Sequence, residues 1–240
     1  MKRALLIEHD AWTRPGLVGA ALAKCGFELD RRLVVPAADF DRPNVAYQFP
    51  DPGDYDLVVP FGSPWAADDH DRIGAWLGPE LVLLRQAHER GVPVLGICFG
   101  GQALCVALGA GIERDVGWEI GYRGVETDEP ELVPAGPWFQ FHHDRMLPPP
   151  GAVVVARNDF GVQAWRSGRS LAVQFHPEVT PEILDLWLEH GGREVLAAQR
   201  QDLAELRAAT LAARHRAAAD TTALVRGFLA RTATAAVNRS

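Results

Sequence analysis

The feature that most constrains the fold is the stretch Gly96-Ile97-Cys98-Phe99-Gly100-Gly101-Gln102, which follows the apolar run Val92-Pro93-Val94-Leu95. An apolar strand that stops at a cysteine and turns directly into a helix lifts that side chain out of the sheet. It also sets the thiol at a helix N-terminus, where unpaired N–H groups and the positive end of the helix dipole favour thiolate. Gly96 and Gly100 flank Cys98 at two residues on either side, the spacing of a nucleophile elbow with cysteine in place of serine. Glycine suits such a turn because strand and helix close on it with no room for a Cβ. A buried cysteine that merely fills space is the competing reading.

The far end of the chain weighs against that alternative. Leu171-Ala172-Val173-Gln174-Phe175 reads as a strand that runs into His176-Pro177-Glu178. In extended backbone, residues two apart share a side, and Pro177 stiffens the link, so His176 and Glu178 can align. An imidazole oriented by a carboxylate is the base half of a nucleophilic triad, and Cys98 is the missing half. A lone His-Pro-Glu would be a surface turn; beside the elbow it reads as chemistry.

Around these motifs strand and helix alternate. The pattern predicts strands at Ala4–Glu8, Arg32–Val35 and Leu57–Val59, and helices at Pro15–Cys25, Pro79–Arg90 and Gln102–Leu108. That order implies an α/β fold with a mostly parallel central sheet and helices on both faces. From Trp118 the pattern changes to short strands and turns, which implies a small antiparallel section. A helix from Pro181 to His190 follows, and then a tail without glycine or proline between Arg193 and Arg226. Leu196, Leu203, Leu206 and Leu211 suggest one apolar face, and Leu224, Val225, Phe228 and Leu229 another. Two helices with a break near Asp220 are expected, either packed on the chain's own core or docking a second subunit or copy. The division is thus residues 1–190 as one domain and 191–240 as a helical extension.

With these residues the chain resembles the class I (triad) glutamine amidotransferases. That family shares a flavodoxin-like α/β core, an elbow of the form Gly-x-Cys-x-Gly-x-Gln and a Phe-His-Pro-Glu motif, and both motifs stand here. Pro60-Phe61-Gly62-Ser63-Pro64 resembles the family loop that usually reads Gly-Gly-Pro and donates to the oxyanion. Phe141-His142-His143-Asp144 resembles the segment that holds the amino-acid end of glutamine. The resemblance implies that Cys98 attacks the side-chain carboxamide of glutamine, with His176 as general acid and base and Glu178 orienting it. Backbone N–H groups of Phe99 and of the Gly62-Ser63 loop would hold the oxyanion, Ser63 standing where the family commonly has glycine. Gly62, Gln102, His143 and Asp144 would bind substrate. Glu119 in Trp118-Glu119-Ile120-Gly121 is either near the pocket or a solvated strand residue. No metal or cofactor is implied.

Other residues are read more plainly. Cys105, two helical turns beyond Cys98, is expected to fill the core. Asp68-Asp69-His70-Asp71 is expected to be a solvated loop beside the site, and His142 has a weaker claim to act as base than His176. Three cysteines give neither a disulfide framework nor zinc spacing, which suits a reducing cytosol, and a cytoplasmic location is expected. A formal net charge of −7 argues against a nucleic-acid surface. Neither a signal peptide nor a membrane span is expected. The resemblance implies ammonia supplied to a separate synthetase or acceptor subunit, with a homodimer left open. A γ-glutamyl amide or peptide hydrolase using the same triad is the alternative; a non-enzymatic scaffold is disfavoured because the whole triad is present.

Overall fold

The structure, a computed structural model, describes residues 2–237. In chain order the elements begin with β1 (Lys2–Glu8), α1 (Gly16–Lys24), β2 (Phe27–Leu33), β3 (Leu57–Pro60) and α2 (His70–Glu89). They continue with β4 (Val94–Ile97), α3 (Phe99–Ala107), β5 (Gly111–Glu113), β6 (Glu119–Thr127) and β7 (Gly136–His142). Then come β8 (Arg145–Leu147), β9 (Val153–Asn158), β10 (Gly161–Ser167), β11 (Ser170–Val173), α4 (Pro181–Trp187), α5 (Arg193–Ala198) and α6 (Leu203–Val237).

Nine strands form one sheet in the order β2-β1-β3-β4-β11-β10-β9-β6-β7. The strands from β2 to β11 pair in parallel, and those from β11 to β7 pair antiparallel. The inner parallel strands β1, β3, β4 and β11 are buried and largely apolar because helices cover both faces, whereas the edge strand β2 is polar and mostly exposed. On one face α1 and α6 bury Val18, Leu22, Leu224 and Phe228, and on the other α2 and α3 bury Trp76, Leu84, Phe99 and Leu104. β4 lies inside the sheet between β3 and β11, and its C-terminal end leads directly into α3. In an open α/β sheet, that edge is where ligands bind.

Several boundaries differ from those expected. β2 begins at Phe27 and ends at Leu33 because it pairs along β1 from Lys2↔Phe27 to Glu8↔Leu33; Val34 and Val35 are buried just beyond it. α2 begins at His70, and Pro79 lies inside it. The acidic run is solvent-facing but only half of it is loop: His70 and Asp71 open the helix, the Asp69 carboxylate accepts the Arg72 N–H at 3.2 Å and caps it, and Asp68 pairs with Arg114. α3 starts at Phe99, directly after the elbow. α4 ends at Trp187 in a wide turn over Leu188–Gly192, where Gly191 takes φ 104°. The tail breaks at Gln199–Asp202, with Arg200 at φ 54°, and not at Asp220, which α6 runs through. Asp220 is held by Arg216 one turn earlier, and a single aspartate costs a helix only a few tenths of a kcal/mol. Leu211 is 51% exposed and falls off the apolar face expected for it. No helix among the described residues is long and apolar enough to cross a membrane.

Candidate active site

Cys98 is the junction between β4 and α3, and its backbone takes φ 49° and ψ −108°. A residue with a Cβ rarely occupies that region, and such strain persists only where the surroundings over-determine it. Here they do. The Cys98 N–H donates to Val173 O at 2.8 Å, its carbonyl accepts from Gln102 N at 2.9 Å, and Gly100 N donates to Phe61 O at 3.0 Å. A Cβ on Gly100 would lie 2.1 Å from Pro60 O, and one on Gly96 would lie 2.6 Å from Gly100 O. Both contacts are backbone, so the glycines are what allow the strand, the helix and the Pro60–Ser63 loop to close together.

The second strand ends beside the first. His176 Nδ1 lies 2.7 Å from Glu178 Oε1, both side chains are buried, and Pro177 holds the two in line. His176 Nε2 and Glu178 Oε2 are buried without a hydrogen-bond partner. Burial works to lower the His176 pKa, but the Cys98 thiolate and then the Glu178 carboxylate raise it to about 10. The imidazole is therefore held as a proton donor. Trp187 of α4 lies edge-on against the ring, with centroids 4.8 Å apart.

A cavity of about 380 Å³ is lined by Cys98, His176, Gly62, Ser63, Gln102, His143 and Asp144. Phe99 and Glu178 are not among its lining residues: the Phe99 ring is buried in the core, and the buried Glu178 side chain bonds to His176. At the wall, His143 Nδ1 is 3.0 Å from Asp144 Oδ1, and that hydrogen bond raises the His143 pKa despite partial burial. Burial works to raise the Asp144 pKa, yet His143, the Asp115 N–H and Arg114 together lower it. An imidazole and a carboxylate thus stand side by side at the cavity wall.

His142 also lines the cavity, but its ring is engaged by Glu119 Oε2 at 3.1 Å and Gln140 Oε1 at 3.0 Å. Glu119 is buried, not solvated, and also accepts from Gln163 at 3.0 Å, so it acts behind the pocket wall. Cys105 is buried, and burial pushes its thiol up to about 12.

Two contributors were not anticipated. Gln174 donates from Nε2 to Cys98 Sγ at 3.6 Å and accepts from Gln102 Nε2 at 3.4 Å. It lies two residues before His176, and strand periodicity puts both on one side, which is the signal that marks it. His9 donates from Nδ1 to the Gly62 carbonyl at 2.9 Å, and its Nε2 lies 3.0 Å from Glu80 Oε1. Its signal is Glu80 itself, a carboxylate on the apolar face of α2 one turn after Trp76, where it requires a buried partner.

Residues 20–188 match the family model described as glutamine amidotransferase class-I. Among curated relatives, the GMP synthase [glutamine-hydrolyzing] of Brucella melitensis is 31% identical over 139 residues. That stretch is 52% of this chain and 26% of the relative, so the match spans about a quarter of the length of the curated relatives. A solved glutamine amidotransferase from Thermotoga maritima superposes with a TM-score of 0.78 at 25% identity, covering 96% of this chain and 97% of that one. A glutamine amido transferase from Methylobacillus flagellatus gives 0.80 at 22% identity over 95% and 94% of the two chains, a likeness of fold.

Proposed function

Because the chain belongs to the class I glutamine amidotransferase family, we propose that it hydrolyses the side-chain amide of glutamine through a γ-glutamyl thioester on Cys98. Cys98 Sγ bonds to the carboxamide carbon, and the carbonyl oxygen becomes an oxyanion held by the backbone N–H groups of Phe99 and Ser63. The C–N bond breaks as His176 Nε2 gives its proton to the leaving nitrogen, which departs as ammonia. Water, deprotonated by the same nitrogen, then adds to the thioester and displaces the Cys98 thiolate, leaving glutamate. Gln102 grips the substrate amide, and His143 and Asp144 hold its amino-acid end. The ammonia passes to a separate synthetase or acceptor enzyme; a relative named as a GMP synthase gives the class of partner to look for. Function in a reducing cytoplasm fits a reactive thiol.

One observation carries this reading: a single cavity is lined by a cysteine at a strained elbow and by a buried histidine paired to a carboxylate at 2.7 Å. The test is peptide-mapped mass spectrometry after treatment with a diazo-ketone analogue of glutamine. A glutamine-protected adduct on Cys98 is expected. If Cys98 reacts with a plain thiol reagent but never with the analogue, free glutamine is not the substrate.

The cavity itself favours a second reading, a γ-glutamyl amide or peptide hydrolase. Its volume of about 380 Å³ and its aromatic lining of Trp12, Phe40 and Trp65 leave space beyond an amino acid for a substituent on the leaving nitrogen. Turnover of γ-glutamyl-p-nitroanilide at a kcat/KM above that of glutamine would select it.

A further inference from the structure

We propose that His9, backed by Glu80, is a positioning residue that latches the Gly62–Ser63 peptide in the orientation that donates to the oxyanion. The inference rests on the acyl-transfer reading of Cys98 but holds for either leaving group. His9 and Glu80 are both 0% exposed, a hydrogen-bonded pair sealed from water behind the loop. Both Glu80 oxygens lie near His9 Nε2, at 3.0 and 3.1 Å. The other nitrogen faces the Gly62 carbonyl, which can only accept, so Nδ1 carries a proton whether the pair is imidazolium–carboxylate or shares its proton the other way.

That hydrogen bond fixes more than a carbonyl. The Gly62 C=O and the Ser63 N–H belong to one planar trans peptide and point to opposite sides of it. Drawing the carbonyl back toward His9 turns the Ser63 N–H away from His9. Gly62 also abuts the catalytic side, since a Cβ there would lie 2.9 Å from His176 Cε1. The His9 ring is stacked on Trp76 at 5.5 Å and meets Phe99 edge-on at 4.6 Å. Phe99 supplies the other proposed oxyanion donor. One buried ring thus touches both halves of the hole, and neither contact reaches substrate.

The two ring nitrogens can be tested separately, because asparagine places a donor near Nδ1 and glutamine near Nε2. H9Q keeps a partner for Glu80 and loses the donor to Gly62. H9N combined with E80Q keeps the donor to Gly62 and leaves no unpaired buried charge. Each is assayed with glutamine and with γ-glutamyl-p-nitroanilide, alongside thermal unfolding and Cys98 alkylation by iodoacetamide. For H9Q we expect kcat to fall by about 10²-fold, the size of losing one oxyanion donor, with KM and alkylation near wild type. H9N/E80Q should retain kcat to within about tenfold. Equal kcat in H9Q and wild type overturns the latch, as does a larger loss in H9N/E80Q than in H9Q, which a purely structural ion pair would produce. Should H9Q fail to fold, H9F/E80M replaces the pair by apolar side chains that a core accepts, and the same fall in kcat at constant KM is required of it. Wild-type protein that turns over neither substrate overturns the acyl-transfer reading and the latch with it; an active wild type with an equally active H9Q overturns the latch alone.

Discussion

Burial alone would strip the proton from His176, yet the Cys98 thiolate and then Glu178 keep it on, up to about 10. The sign has a direct consequence. A raised histidine stays protonated across the range from the ordinary value near 6.5 to the folded one, so under the proposed mechanism the proton for the leaving nitrogen is in place at neutral pH. The His176 ring resonances should keep imidazolium shifts through pH 8 and titrate near 10. In C98A the larger of the two raising charges is gone, and the titration should move down toward the unperturbed range. A midpoint near 6.5 in the wild type would remove the ion-pair description. Cys105 supplies the contrast on the same helix. Its thiol, pushed up to about 12 by burial, should stay unmodified by iodoacetamide at pH 8 while Cys98 reacts, as peptide mapping would show.

The turn from His176 to Glu178 is held at each of its three residues by a different element. The His176 N–H donates to Phe139 O of β7 at 2.8 Å, the Pro177 carbonyl accepts from Thr221 Oγ1 of α6 at 2.6 Å, and the Glu178 carbonyl accepts from Leu17 N of α1 at 3.0 Å. Gly16 makes the last contact geometrically feasible, since a Cβ there would sit 2.0 Å from Glu178 O. Thr221→Val keeps the shape and deletes one hydroxyl, leaving a buried carbonyl unpaired. It should cost about 1–3 kcal/mol of stability, read by denaturant unfolding, and lower kcat more than it raises KM. Thr221→Ser should recover both. The His176–Glu178 pairing was legible in sequence only beside the elbow, because a His-Pro-Glu by itself reads as a surface turn. Its anchors were not, because Thr221 lies 44 residues away on a helix whose only local signal is a stripe of leucines. The same holds across the site. Cys98 announces itself through flanking glycines, whereas His9 reads as a polar interruption of an apolar strand until α2 brings Glu80 to it. The misplaced start of α2 has a local cause: Pro79 is a good first helical residue, and the Asp69 cap that begins the helix earlier was hidden in an acidic run.

At the scale of the molecule, α6 decides whether the last fifth of the chain is scaffold or docking arm. Its inward stripe is already buried against the chain's own core: Leu206 is 8% exposed, Leu224 and Val225 are 0%, and Phe228 is 1%. Backbone approaches just as closely, since a Cβ on Gly227 would lie 2.1 Å from Glu131 O. Arg207 and Arg231 then pair outward with Asp185 and Glu129. At roughly 1.5–3 kcal/mol for each buried side chain, removing those four apolar residues costs on the order of 6–12 kcal/mol. That is comparable to the whole stability margin of an ordinary domain, about 5–15 kcal/mol. α6 also covers α1, whose N-terminus holds Glu178, and it carries Thr221, so the loss would reach the triad before the fold failed completely. A chain ending at Asp202 should therefore lose cooperative thermal unfolding, elute as aggregate in size-exclusion chromatography and lose the glutamine protection of Cys98 against alkylation. An α6 that served only to dock a second subunit would give the opposite result: unchanged melting, a protected Cys98 and a shift in oligomeric state alone.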